Sequence, residues 1–303
     1  MPKVSICIPA YNQATHLKKA IDSVLLQTYS DYEIVITDDS PGTIVSDLVT
    51  KYNLPDQIKY YKNPTTLGSP ENWNESIRKA SGEYIKILHH DDWLNYHYSL
   101  AKYVQLLDEN PGSDFAFSAT QVISAKGNDW VHKVTSEQLA ELEFNPLLLY
   151  NINLIGAPST TIVRRNSELR FDPNLKWLVD IEYYLRQISN HKIAYTPELL
   201  VVTFVTEGRV TDECLYNREV EVPEYLYLLD KVKKRVKLYS DVALRKCLYH
   251  AIGICNNHQI KRITDIRNCG YHGHIHQGIK KWLAINAFSS SMGKMYLKFL
   301  RRK

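Results

Sequence analysis

The side chains equipped for chemistry fall in three short clusters, each directly after an apolar run. Val4–Pro9 leads into Ala10-Tyr11-Asn12, Glu33–Thr37 into Asp38-Asp39-Ser40, and Tyr84–Leu88 into His89-His90-Asp91-Asp92-Trp93. Paired carboxylates at a strand end can hold a hard divalent cation, which bridges phosphate oxygens while keeping several of its waters. Asp91 and Asp92 suit that role. An aromatic ring such as Tyr11 can stack on a base, and a carboxylate such as Asp39 can accept a hydrogen bond from a base ring N–H. No Gly-x-Gly-x-x-Gly follows the first run and no Gly-Lys-Ser/Thr occurs, so the dinucleotide fingerprint and the phosphate-cradling loop are both absent. Phosphate has to be held another way.

These clusters need a scaffold that brings strand ends together. Val4–Pro9, Glu33–Thr37, Ile58–Tyr61, Tyr84–Leu88 and Phe115–Val122 read as strands, and Ala14–Leu26, Thr43–Tyr52, Glu71–Ala80 and Tyr98–Glu109 as helices between them. Strand-helix alternation implies an α/β fold with a mostly parallel sheet and right-handed crossovers. Ligands bind such sheets at the carboxyl ends of the strands, where the three clusters lie. Beyond 125 the pattern is mixed. It predicts a helix near Ser136–Tyr150, a strand at Thr160–Val163, a helix at Leu178–Ser189, and strands at Ile193–Tyr195 and Leu200–Val205. After Gly208 only helices are expected, interrupted by Asn268–Gly278.

Each acidic cluster also has a plain structural reading. Asp38-Asp39-Ser40-Pro41-Gly42 is a turn signal, Asp91-Asp92 could cap a following helix, and Asp180 near a helix start is favoured by the macrodipole. His89 and His90 would point to opposite faces of a continued strand, so at most one could face a metal.

Taken in order, the motifs resemble those of an inverting family-2 glycosyltransferase with the GT-A fold. The resemblance rests on Val4-Ser5-Ile6-Cys7-Ile8-Pro9-Ala10-Tyr11-Asn12, Ser23-Val24-Leu25-Leu26-Gln27-Thr28-Tyr29, Glu33-Ile34-Val35-Ile36-Thr37-Asp38-Asp39-Ser40, Leu67-Gly68, and Ala80-Ser81-Gly82-Glu83-Tyr84-Ile85 leading to Asp91-Asp92. It covers roughly residues 3–205. It implies that Pro9, Ala10, Tyr11 and Asp39 surround the base and ribose of a nucleotide-sugar donor, commonly UDP-linked. It further implies that Asp91, with Asp92 beside it, binds a divalent metal (Mn or Mg), and that Asp180 is the general base, with Glu182 the alternate carboxylate. Two positions depart from the family pattern. His89 stands where the first aspartate of the Asp-x-Asp element usually is, which leaves one fewer charge for the metal. Trp73 stands where many members have an arginine, and Asn72-Trp73-Asn74 could use the ring for packing.

The modest formal charge of +4 hides a division along the chain. Residues 231–303 hold 17 Lys/Arg against Asp241 and Asp265, a balance of +15, while 1–230 carry −11. This places a catalytic region at 1–210, with a nucleotide-sugar half at 1–125 and an acceptor half at 126–210, and a basic helical region at 211–303. From Trp282, the positions Ile285, Phe288, Met292, Met295 and Phe299 recur at helical spacing among basic residues. That pattern suits a helix lying on an anionic membrane surface, or equally one docked on the catalytic region. Lys231–Lys237 forms a second basic cluster. His272, His274 and His276 alternate and could form a metal face if extended.

Five cysteines without Cys-x-x-Cys spacing read as reduced thiols, and neither a secretory signal nor a transmembrane run is recognised. The expected setting is cytoplasmic, with peripheral attachment to the inner face of the membrane through the basic tail. The resulting expectation is transfer of a sugar to a hydroxyl of a glycan or lipid-linked glycan in bacterial surface polysaccharide synthesis. The alternatives are a nucleic-acid-binding protein that uses the basic region, or a nucleotidyltransferase forming sugar nucleotides. Strand-end acids have no role in the first, and the second requires a glycine- and arginine-rich loop that Pro-Ala-Tyr-Asn does not supply, so no nucleic-acid partner is expected.

Overall fold

The computed structural model describes all residues except 167, 189–191, 207–209, 235–239 and 289–303. In chain order the elements of the first half are β1 (Val4–Ala10), α1 (Ala14–Leu25), β2 (Tyr32–Asp38), α2 (Ile44–Thr50), β3 (Ile58–Lys62), α3 (Glu71–Lys79), β4 (Tyr84–Ile87), β5 (Trp93–Leu94), α4 (Ser99–Asp108), β6 (Phe115–Ser124) and β7 (Trp130–His132). The second half adds α5 (Ser136–Phe144), β8 (Thr161–Arg164), α6 (Val179–Ile188), β9 (Ile193–Val205), α7 (Val210–Cys214), α8 (Arg218–Lys234), α9 (Asp241–Asn257), α10 (Ile263–Asn268) and α11 (Gln277–Phe288).

The strands form one nine-stranded sheet in the order β3-β2-β1-β4-β8-β6-β9-β5, with β7 beside β6. β1 and β2 are buried at every position, which is why both read as unbroken apolar runs: helices cover both faces of the sheet. Alternate side chains enter opposite layers. Ile6 and Ile8 pack with α1 and α4 through Leu17, Ile21, Leu100 and Tyr103, whereas Cys7, Ile85, Ile87 and Phe115 pack with α3, α6, α8, α9 and α11. On α1 the buried positions Leu17, Ala20, Ile21 and Val24 make one stripe.

Six strands share one direction, and β5, β7 and β8 oppose it. The antiparallel strand at the centre, β8, separates β4 from β6, pairing Tyr84 with Arg164 and Phe115 with Val163. Periodicity identified β8 as a strand but carried no information on its place or direction. The short strands β5 and β7 had no recognisable period. The two expected strands around Thr196-Pro197-Glu198 are one, β9, whose register against β6 slips between Ser118 and Thr120. A bulge there accommodates a proline that cannot donate to the ladder.

The helical region beyond 210 is part of the same core. Val222 and Leu226 of α8, Cys247 and Cys255 of α9, and Ile279, Trp282 and Leu283 of α11 are buried in the cluster that holds Phe115 and Val163 of the sheet. The start of the tail helix is therefore docked. Its later positions Met292, Met295 and Phe299 lie outside the described residues, as do Arg235, Val236 and Lys237 of the second basic cluster. No helix among the described residues is long and apolar enough to cross a membrane.

The Ala80-Ser81-Gly82 motif ties β4 to β1. Glu33 accepts from Ser5 Oγ at 2.6 Å and from Ser81 N at 2.7 Å, and Gly82 N donates to Ser5 Oγ at 2.7 Å. A Cβ on Gly82 would lie 2.5 Å from Ser5 N and 2.8 Å from Val4 C, both backbone atoms with no room to yield. Gly82→Ala is expected to destabilise the fold by about 1–3 kcal/mol, the usual range for overpacking. The check is a lower urea midpoint at unchanged slope.

Candidate functional site

At the end of β1 the chain turns through Tyr11, which is 48% exposed, and Asn12, which takes φ +58°. Ala10 O accepts from Asp39 N at 3.0 Å and Pro9 O contacts His90 Nδ1 at 3.2 Å, so the first strand end is stitched to the second and the fourth. Asp38 and Asp39 then part company. Asp38 is fully buried beneath the site, with its carboxylate engaged by Ser40 N, Tyr60 Oη and Lys62 Nζ. Burial pushes its carboxyl upward, but those donors outweigh it and hold it below the usual range. Asp39 faces the cavity. Its Oδ1 accepts from Asn63 Nδ2 at 2.9 Å and Leu67 N at 2.7 Å, and its Oδ2 from Gly68 N at 2.7 Å. A carboxylate has about four acceptor positions, so roughly one, on Oδ2, stays open. Leu67-Gly68 is thus a clasp on Asp39, and Gly68 itself takes a positive φ (+75°).

After β4 the chain makes a tight turn, with Asp92 N donating to His89 O at 3.0 Å, and continues into β5. Asp91-Asp92 caps no helix. One ligand atom each from His89, Asp91 and Asp92 lie within 4.8 Å of one another, and this is the one such group among the described residues. Asp92 is 4% exposed, and burial together with the neighbouring Asp91 charge pushes its carboxyl well above the ordinary range. His89 Nε2 is buried with no hydrogen-bond partner. A cation would relieve both penalties at once, by countering the carboxylate charges and giving a ring nitrogen a partner, so these residues fit a divalent metal. His90 faces Pro9 instead.

Trp73 packs against His89 with ring centroids 4.5 Å apart and edge-on against Phe171 at 5.0 Å. Its neighbours hold the backbone. Asn72 Nδ2 donates to Ala10 O and Thr37 O, and Asn74 both donates to and accepts from the backbone of Phe171. The packing reading of Asn72-Trp73-Asn74 is the one observed.

Asp180 lies in the first turn of α6. Its Oδ1 accepts from Ile181 N at 2.9 Å and its Oδ2 from Asn153 Nδ2 at 3.2 Å. Burial raises its carboxyl to about 6, against the pull of those donors. Glu182, by contrast, is 2% exposed and bound by Arg186 Nε at 2.8 Å and Lys231 Nζ at 2.6 Å. It is closed off in an ion-pair network and has no part in the cavity.

One cavity of about 850 Å³ joins these parts, and Pro9, Ala10, Tyr11, Asp39, Asp91, Asp92 and Asp180 all line it. His272, His274 and His276 are not among its lining residues, and Tyr271, packed inward over Gly273, donates to His274 O. Sequence reasoning missed Asn153 and Ser159. Ser159 Oγ accepts from His89 N at 2.9 Å, which ties the metal-competent turn to the segment before β8. Nothing in Ala157-Pro158-Ser159-Thr160 marks such a role.

A family model described as glycosyl transferase family 2 matches residues 5–170, more than half of the chain. The chain belongs to glycosyl transferase family 2. Among relatives of the transferase, an uncharacterized glycosyltransferase of Rickettsia typhi is 27% identical over 241 residues, covering 77% of this chain and 74% of its own. Escherichia coli WcaA, named for glycosyl transfer in colanic acid biosynthesis, is 30% identical over 195 residues, 63% of this chain and 67% of that one. Of solved structures, S. aureus TarS 1–349 in complex with UDP-GlcNAc superposes with a TM-score of 0.63 at 19% identity over 94% of this chain and 79% of TarS. The mannosyltransferase PcManGT of Pyrobaculum calidifontis, in complex with GDP-Man and Mn2+, gives 0.57 at 15% identity over 95% and 84%. The transferase therefore has the GT-A fold.

The setting of Asp180 is open to direct measurement. A carboxyl-carbon NMR titration is expected to give one aspartate with a midpoint near 6 that disappears in Asp180→Asn. Asn153→Ala should move that midpoint higher, because a hydrogen bond to the ionised form is lost. An unmoved or lower midpoint would contradict the assigned geometry.

Proposed function

We propose that the transferase moves a sugar from a nucleotide-sugar donor, UDP-linked, to an acceptor hydroxyl with inversion at the anomeric carbon. The observation that carries this reading is the set of side chains gathered around one cavity. Tyr11, the open position of Asp39, the His89-Asp91-Asp92 group and the raised carboxylate of Asp180 all border the same space. In this reading the ring of Tyr11 stacks on the base, Asp39 Oδ2 accepts from it, and the backbone of Pro9 and Ala10 borders the ribose.

Asp91, with Asp92 and a ring nitrogen of His89, would hold Mn or Mg, and the bound cation would offset charge on the departing diphosphate. Asp180 takes the proton of the acceptor hydroxyl as its oxygen attacks the anomeric carbon from the side opposite the diphosphate. Single displacement from that side inverts the configuration. A positioned base contributes roughly 10²–10⁴ in rate, most effectively when its pKa lies near the working pH, which a carboxyl raised to about 6 approaches. The complexes of TarS with UDP-GlcNAc and of PcManGT with GDP-Man and Mn2+ support a nucleotide-sugar and a metal in such a fold.

The acceptor in this reading is a glycan or lipid-linked glycan of a bacterial surface polysaccharide, in line with the name of WcaA. Residues 1–210 form the catalytic region, with the donor half at 1–125 and the acceptor half at 126–210, and 211–303 the basic helical region. The enzyme works in the cytoplasm, with the basic end of the chain on the inner membrane face. Lys231 is spent on buried carboxylates and adds nothing to that attachment, which this reading assigns to the basic residues after 288.

A thermal-shift panel of UDP-, GDP- and dTDP-sugars, with and without manganese, tests the donor. One nucleotide class at 100 times its dissociation constant should stabilise by ~2.7 kcal/mol, and Asp91→Ala should lose the manganese-dependent part. A panel with no shift, or an Asp91→Ala variant that keeps the full manganese effect, overturns the reading. Separately, deleting residues 289–303 should spare the nucleotide shift while weakening sedimentation with phosphatidylglycerol vesicles. Equal sedimentation of both forms removes the membrane role.

A further inference from the structure

Helix α8 faces the segment that carries Asp180, and its Glu224 makes an arrangement that the reading above does not use. The carboxylate is 7% exposed and accepts three consecutive backbone N–H groups: Lys176 N at 2.7 Å, Trp177 N at 2.9 Å and Leu178 N at 2.8 Å. These are the residues that lead into α6, whose first turn contains Asp180. Seven residues further along α8, two helical turns or roughly 10 Å, Lys231 Nζ reaches Asp172 Oδ2 at 2.5 Å and Glu182 Oε1 at 2.6 Å. One face of α8 thus grips both the chain entering α6 and α6 itself.

We propose that Glu224 is a positioning residue for Asp180, a carboxylate from the helical region that fixes the 176–178 turn and so sets where the base points. This rests on the reading of Asp180 as the base. Three free N–H groups at a helix start form an anion-binding concavity with a favourable dipole. A buried carboxylate is tolerated there because charge-assisted bonds offset part of the cost of desolvation. Trp177, Leu178, Val179 and Asp180 all line the cavity, as does Tyr225, the residue after Glu224. Displacing the turn would therefore move the cavity wall together with the base, and a misplacement of about 1 Å can cost 10²-fold in rate. A leucine or glutamine at 224 could fill the space. Neither could satisfy three donors with two oxygens.

The groups that face Asp180 are Glu224 and Tyr225 from α8, Tyr184 from α6 itself, and the neutral Asn153. Glu224 is the one carboxylate among them, so removing its charge has a defined sign: the Asp180 titration midpoint falls. The test uses the full chain with Glu224→Ala, and Glu224→Gln as the variant that keeps an acceptor oxygen. Amide exchange at 176–178, the Asp180 carboxyl-carbon titration, UDP affinity with manganese, and hydrolysis of UDP-GlcNAc by water are measured for each.

In Glu224→Ala, exchange at 176–178 should rise at least tenfold and the Asp180 midpoint should move to lower pH. UDP should bind within twofold of the parent, and kcat should fall at least tenfold with KM unchanged, Glu224→Gln recovering part of the exchange protection. Unchanged exchange and an unchanged midpoint overturn the proposal, as does loss of UDP affinity in step with kcat, which marks general destabilisation. If exchange and midpoint move as stated but Asp180→Asn hydrolyses the donor at the parent rate, the positioning stands and the base assignment falls.

Discussion

The site depends on one structural constraint, the insertion of β8 antiparallel between β4 and β6. Opposite direction brings the residues that precede β8 beside the residues that follow β4. The register that pairs Tyr84 with Arg164 and Ile85 with Val163, continued upward, sets Ser159 opposite His89. Ser159 Oγ takes the His89 N–H there, and Lys86, fully buried in β4, donates to Ser159 O. A few residues earlier, Asn153 Nδ2 binds Asp180 and Gly156 O accepts from Tyr184 Oη at 2.9 Å. Segment 153–160 is thus the physical link between the metal-competent turn and Asp180. A parallel strand in that place would have sent this segment to the other end of the sheet.

The carboxylates divide into two populations that differ in what they touch. Glu33, Asp38 and Glu182 are surrounded by donors that consume their acceptor positions, and they hold strands and helices together. Asp92 and Asp180 have fewer donors than burial demands, and both carboxyls are pushed up. Asp39 sits between the groups, since its bonds to Asn63, Leu67 and Gly68 organise the loop and leave one oxygen position toward the cavity. Carboxylates left short of donors are the ones with binding capacity to offer a cation or a substrate proton. The buried ammonium of Lys86, with Ser159 and Ile87 carbonyls as acceptors, is pushed down to about 7 by desolvation, against the pull of the Asp92 charge.

The helical region beyond 210 contributes to both stability and the site. Burial of Ile279, Trp282 and Leu283 with Phe115 and Val163 makes it inseparable from the core of the sheet. Glu224 and Lys231, on one face of α8, connect that core to the helix carrying Asp180. The +15 balance of the last 73 residues therefore overstates what is available to an anionic partner, because part of it neutralises buried acids.

Local pattern was enough for the elements and for the residues at strand ends. The apolar runs of β1, β2 and β4 and the stripe on α1 have periods set by the backbone itself. A parallel sheet collects strand ends on one edge, so Tyr11, Asp39, Asp91 and Asp92 were legible without coordinates. The motif order also sufficed for the family, and it pointed to Asp180 with Glu182 as the alternate carboxylate. Only tertiary structure decided which carboxylates are free. Glu182 and Asp38 are occupied by Lys231, Arg186, Tyr60 and Lys62, partners from 4 to 49 residues away in sequence. The same holds for β5 and β7, too short to carry a period, and for β8, whose direction is fixed by pairing across the sheet. Asn153, Ser159 and Glu224 left no trace in local sequence because each acts on a backbone or side-chain group that only the fold brings within hydrogen-bond reach.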